Sequence, residues 1–162
     1  GLFRGETYHY QGQTWDAAPM SLPLTVEDVT GQHYEHVRRY SYGSGSLLIR
    51  ERSCRETVLA GEDLLILDYD ITTLALPGLY DLALEHCQTE RYSSWPYRWQ
   101  ETDPAPWGAE AAYQLFKDTG VFQDTYSLYI LCWPDRIVQL NLSDLAPTPD
   151  QMAVIGEKLQ NA

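Results

Sequence analysis

A chain of 162 residues, 44% hydrophobic and 21% charged, is long enough for one domain with its own core and too apolar for a disordered segment. Its formal charge of -12 repels phosphate backbones and anionic headgroups, which speaks against nucleic acid and anionic membranes as partners. No stretch approaches the roughly 18 consecutive apolar residues of a membrane helix, so no direct membrane insertion by this chain is expected.

The first residue is Gly1 rather than methionine. The expectation is therefore a single domain, 1–162, that forms part of a larger protein, either cytoplasmic or an extracytoplasmic domain of a membrane protein. Within it, residues 1–24 read as an irregular N-terminal segment and 25–162 as the main body. "YHYQGQTWDAAPMSLP" mixes glycine, prolines and isolated aromatics, with room for a short strand near Thr7–Tyr10. "TVED", Thr25 to Asp28, has the capping-box pattern of a hydroxyl followed three residues later by a carboxylate. Val26, Val29, Tyr34, Val37 and Tyr40 follow at roughly helical intervals. Gly31 interrupts them, and 34–42 fits a β segment equally well.

"SLLIRER" and "RETVLAG" predict two strands with a turn near Ser53. "EDLLILDYDITTLAL" alternates strictly: Leu65, Leu67, Tyr69 and Ile71 on one side, Ile66, Asp68, Asp70 and Thr72 on the other. That is a strand. Leu79, Leu82, Ala83, His86 and Cys87 form a helical stripe. "SSWPYRWQETDPAPWG" reads as a proline- and tryptophan-rich connection. A second helix is predicted from about Gly108 to Lys117, with Ala109, Ala112, Tyr113 and Phe116 inward and Gly120 at its end.

"YSLYILCWPDRIVQLNL" alternates on both sides of Pro134–Asp135. Proline fixes φ where a type I turn needs it, so this is a β-hairpin. "TPDQ" then opens a last helix: Thr148 caps, Pro149 takes the first helical position, and Gln151 completes the box. Met152, Ile155 and Leu159 are its inward stripe. The expected fold is α+β, an antiparallel or mixed β-sheet with about three helices packed mainly on one face.

Several groups invite a chemical reading. Cys132 stands beside Asp135, whose carboxylate would raise a thiol pKa, and Arg136 would offset it. His86 and Cys87 are adjacent on a helix and diverge by about 100°, so they do not form a dyad. With Cys54 the chain has three cysteines, an odd number that cannot all pair internally; three buried thiols are the expectation. Asp68 and Asp70 share one side of a strand and could reach one divalent cation through oxygen ligands. Two carboxylates on a half-solvated strand more often face water. His33 and His36 lack the spacing of a metalloprotease helix, and His9 would have to supply a third ligand from afar. "GSGS", Gly43 to Ser46, is a turn or a ligand-facing loop; it lacks the lysine of a P-loop and the glycine spacing of a dinucleotide fingerprint. No cofactor is expected.

"RYSSWPYRW", Arg91 to Trp99, is the most distinctive surface. In extended form Trp95, Tyr97 and Trp99 align on one side with Arg98 opposite. Tryptophan, tyrosine and arginine are the residues of interface hot spots. No nucleophile, base and electrostatic stabiliser stand at matching positions, so the chain is not read as an enzyme. The function expected is that of an acidic interaction or regulatory domain with a protein partner, a basic one by charge. The alternatives are a metal-assisted hydrolase using Asp68 and Asp70, and an acidic inhibitor or immunity-type protein for a basic toxin or nuclease.

Overall fold

The computed structural model describes residues 21–162 in full and, before them, the backbone of two strands, β1 (Thr7–Tyr10) and β2 (Gln13–Asp16). These two pair antiparallel as a hairpin. The short strand expected at Thr7–Tyr10 is thus present, with a partner strand inside the segment taken as irregular. Helix α1 (Val26–Thr30) follows. Its box is complete: Thr25 Oγ1 accepts from Asp28 N at 3.1 Å, and Asp28 Oδ2 accepts from Thr25 N at 2.9 Å. Gly31, at φ 74°, ends it in the left-handed conformation that glycine adopts without a Cβ clash. That settles the open segment: a five-residue helix, then β3 (Val37–Gly45).

Strands β4 (Ile49–Ala60) and β5 (Asp63–Leu74) complete a meander. The expected turn at Ser53 does not exist. Ser53 lies inside the continuous strand β4, paired with Tyr42 on one side and Asp70 on the other. Neither glycine nor proline stands there to break the ladder, and the real turns fall at 46–48 and 61–62. Helix α2 (Tyr80–Glu90) then leads to β6 (Tyr97–Thr102). Residues predicted to be a helix from 108 form a strand, β7 (Ala111–Asp118), followed by β8 (Gln123–Trp133) and β9 (Arg136–Asn141). The apolar spacing of Ala109, Ala112, Tyr113 and Phe116 misled because a bulge between Gln114 and Phe116 breaks the two-residue alternation. Gly120, at φ 88°, lies in the β7–β8 turn instead of capping a helix. The last helix, α3 (Pro149–Gln160), has the expected cap, with Gln151 N to Thr148 Oγ1 at 3.3 Å and Thr148 N to Gln151 Oε1 at 2.9 Å.

Seven strands form one antiparallel sheet in the order β3-β4-β5-β9-β8-β7-β6. Two meanders therefore meet at β5 and β9, and the segment holding α2 carries the chain from the sheet centre to the far edge. The central strands are apolar on both faces. Leu67, Tyr69, Leu131, Val138 and Leu140 share a cluster with Val26 and Val29 of α1 and Ile155 and Leu159 of α3. Ile130, Cys132 and Ile137 point the other way and share a cluster with Ala83 and Cys87 of α2. The helices are thus divided between the two faces.

Two polar groups inside the core, Tyr69 and Glu56, are matched. Tyr69 Oη accepts from Leu24 N at 2.9 Å and donates to Leu24 O at 2.8 Å, strapping the segment before α1 to the sheet. The Glu56 carboxylate, 1% exposed, accepts Val26 N at 2.7 Å and Arg39 Nε at 2.6 Å. It thereby caps a helix amide that Thr25 does not reach.

Candidate functional site

The aromatic segment singled out in the sequence becomes a corner at the β6 edge. Past α2, Tyr92 takes a φ of 58°, an uncommon conformation for a bulky residue and costly unless its surroundings hold it. Its ring meets Tyr97 edge-on with centroids 5.3 Å apart. Tyr97 opens β6, where its backbone N donates to Ser94 O at 2.9 Å. The same ring lies 6.1 Å from Tyr126 and has Lys117 Nζ 5.7 Å from its centroid. Trp95, joined to Pro96 through a cis peptide bond, stands 78% exposed at the corner.

The four predicted interface residues differ in exposure. Trp95 and Arg98 are exposed, whereas Tyr97 and Trp99 are half-buried. Trp99 packs against the cluster under α2, and its Nε1 is buried without a hydrogen-bond partner among the described residues. Arg98 points to the other face, its guanidinium carbon 4.9 Å from the Phe116 ring centroid. Lys117 joins the corner from β7, a strand that the helix prediction for 108–117 concealed, and Tyr126 joins it from β8. So does the β7–β8 turn: Asp118 N donates to Pro96 O at 2.9 Å, which sets the turn at the same end of the sheet as Trp95. Val121 there is 98% exposed and Phe122 53%. "KDTGVFQD" between two alternating runs carries the turn residues that signal a hairpin.

Asp68 and Asp70 do lie side by side on β5, facing α2. They line a polar cleft of about 40 Å³ with Arg91, Tyr92, Gln139 and Asn141. Asp68 Oδ2 is held by Arg55 Nη2 at 3.0 Å. Burial pushes the Asp70 carboxyl above its ordinary value, reinforced by Asp68 and opposed by a hydrogen bond from Ser53 and by Arg91. Among the described residues no three or more His, Cys, Asp or Glu side chains converge to hold a metal ion. His33 faces Glu27 at 3.5 Å; the His9 side chain lies outside the described residues.

Cys54, Cys87 and Cys132 are all free and buried. Burial pushes each thiol up, Cys87 to about 12, so all three are held protonated at neutral pH and are poor nucleophiles. Asp135, which the sequence sets near Cys132, pairs instead with Arg136 at 3.1 Å. His86 turns outward to Glu90 at 3.6 Å while Cys87 turns in, the divergence expected of adjacent helix residues. No helix among the described residues is long and apolar enough to cross a membrane.

Compared with known proteins, the chain matches no family model, no curated protein and no solved structure.

Proposed function

We propose that the chain is an interaction domain that docks a protein partner on the corner formed by Trp95, Tyr92, Tyr97 and the β7–β8 turn. The observation that carries this reading is Trp95. A large ring 78% exposed, beside tyrosines already packed on one another, offers apolar area at low entropic cost to a partner. Val121 and Phe122 extend the apolar surface at the same end of the sheet. β6 is an outer strand of the sheet, so an extended segment of the partner can add backbone hydrogen bonds beside the rings. The net charge of -12 steers basic partners toward the domain and speeds encounter.

The test compares pull-downs from a native lysate with the wild-type chain, Trp95→Ala and Leu82→Ala. Leu82 is 62% exposed on α2 and serves as a surface control. Loss of an interface tryptophan removes about 2 kcal/mol or more of binding. A partner should be retained by the wild type and by Leu82→Ala and lost from Trp95→Ala, with circular dichroism unchanged in both variants. Identical capture by all three proteins would sink the reading.

A further inference from the structure

At the opposite edge of the sheet from Trp95, an open cavity of about 680 Å³ lies where β3, β4 and β5 end. That is within the size range of small-molecule sites. Its residues come from one face by register: Gly43, Arg52 and Ile71 stand in one row, Gly45, Arg50 and Thr73 in the next. Two arginines two apart on a strand thus project the same way, with glycines where β3 would otherwise place side chains beside them. Arg52 Nε donates to Ser41 Oγ at 3.0 Å, which leaves its terminal nitrogens free to face the cavity. Among the described residues neither Arg50 nor Arg52 forms an ion pair. In a chain with 23 acidic and 11 basic residues, two neighbouring arginines stand here without a carboxylate partner. Glu51, between them, also lines the cavity, but strand alternation turns its side chain to the opposite face, where its charge adds to the burial that raises the Cys87 thiol.

The two glycines differ in a telling way. Gly45, at φ 112°, is required by the turn, since a Cβ there would come within 2.3 Å of Ile49 O. Gly43 is under no such constraint: a Cβ would meet only Glu51 O, at 3.9 Å, an ordinary contact. The fold does not demand glycine at 43, and a side chain there would project over the row that holds Arg52. Ile71, 4% exposed, supplies an apolar floor. The ends of β3 and β4 are joined by a turn in which Ser46 Oγ accepts both Leu48 N and Ile49 N at 3.3 Å.

We propose that this cavity binds a small organic anion, with a carboxylate or phosphate group held by Arg50 and Arg52 and its carbon body resting on Ile71. The planar fork of each guanidinium matches two oxygens of such a group, and bonds of this kind are about twice as strong as neutral ones. The site is independent of the aromatic corner, and either can exist without the other.

The experiment titrates the isotope-labelled 162-residue chain with inorganic phosphate and, separately, succinate, at constant ionic strength in sodium chloride. Backbone amide and arginine Nε resonances are followed by NMR. Saturable shifts should appear at Gly43, Gly45, Thr73 and the two arginines and be absent from β6. Arg50→Gln should weaken binding about tenfold or more, the loss expected of one charge-assisted contact. Gly43→Leu should abolish binding by filling the space while leaving the melting temperature near the wild-type value. Stronger binding of phosphate assigns a phosphorylated ligand, and stronger binding of succinate a carboxylate. Shifts that never saturate with either anion, or saturable shifts that survive Arg50→Gln and Arg52→Gln, overturn the proposal. Arg50 is exposed and bonded to nothing in the described chain, so its substitution keeps the test decisive even where Gly43→Leu fails to fold.

Discussion

Trp133 and Trp95 show how differently the middle and the margin of this sheet use the same side chain. Trp133 ends β8 under α3, 2% exposed, its Nε1 donating to Gly108 O at 3.0 Å. Both strands flanking that position are paired, and the polar atom is satisfied. Trp95 stands 78% exposed just before the outer strand β6. Between them lies Trp99, half-buried, whose Nε1 has no partner among the described residues. The gradient teaches that burial of an aromatic ring here follows the number of neighbouring layers. Strands β8 and β9 have a partner on each side and helices above and below. β6 has one neighbouring strand, so its rings can be left for another molecule.

The sharpest way to break this comparison is to truncate both tryptophans. Trp133→Ala should cost about 3–5 kcal/mol in denaturant melts, the range for a buried tryptophan. Trp95→Ala should stay within about 0.5 kcal/mol of the wild type, as for a surface substitution. Equal losses would show that the corner is core. A second variant probes the centre alone. Gly156 lies in α3 where a Cβ would fall 1.6 Å from the Trp107 carbonyl oxygen. Gly156→Ala must push the helix off the Ala105–Trp107 turn, and should cost about 1–3 kcal/mol by overpacking. Retained stability would mean that α3 can slide.

A smaller effect is expected at the α3 cap. Thr148→Ala removes the acceptor for Gln151 N and should cost about 1 kcal/mol. The mildest effect concerns Asp70, between centre and margin. Burial, chiefly, raises its carboxyl above the ordinary value. Both folded and unfolded chains are protonated there below the unfolded pKa of about 3.9. As pH rises through the raised folded value, the folded state must ionise a buried acid and stability is lost. Asp70→Asn, whose amide oxygen can still accept from Ser53, should therefore raise the melting temperature near neutral pH and change it little in strong acid. A lower melting temperature at neutral pH would mean that the carboxylate is stabilised in place, by Arg91 for instance.

The legible and illegible parts of the chain separate by the range of the interactions that shape them. The hairpin at Pro134–Asp135 and the box at Thr148–Gln151 were readable because proline geometry and a capping hydroxyl act within four residues. The box at Thr25 and the strand at Asp63–Leu74 were readable for the same reason, through a local cap and a strict alternation. Residues 111–118 were misread as a helix because their apolar spacing carries a bulge. The edge of β8 that makes them a strand is contributed by residues 123–133, across a turn. β4 reads as two strands split at Ser53 because a serine within the polar run "RERSCRE" resembles a turn, until β3 and β5 pair with it on both sides.

The candidate sites divide likewise. "RYSSWPYRW" already marked the aromatic residues and their arginines, because residue type decides what a ring or a guanidinium can recognise. Which of those rings is left in water was decided by the stacking of Trp99 under α2 and the arrival of Tyr126 and Lys117 from other strands. The order β3-β4-β5-β9-β8-β7-β6 placed β6 at the rim and set Arg50 and Arg52 against Gly43 and Gly45. No local pattern encodes the pairing of β5 with β9 that joins the two meanders, since those strands are far apart in the chain. Composition and short-range patterns therefore determined the charge, the caps, the hairpin and the side-chain chemistry. Strand pairing across the sheet determined which of those side chains meet one another and which face outward.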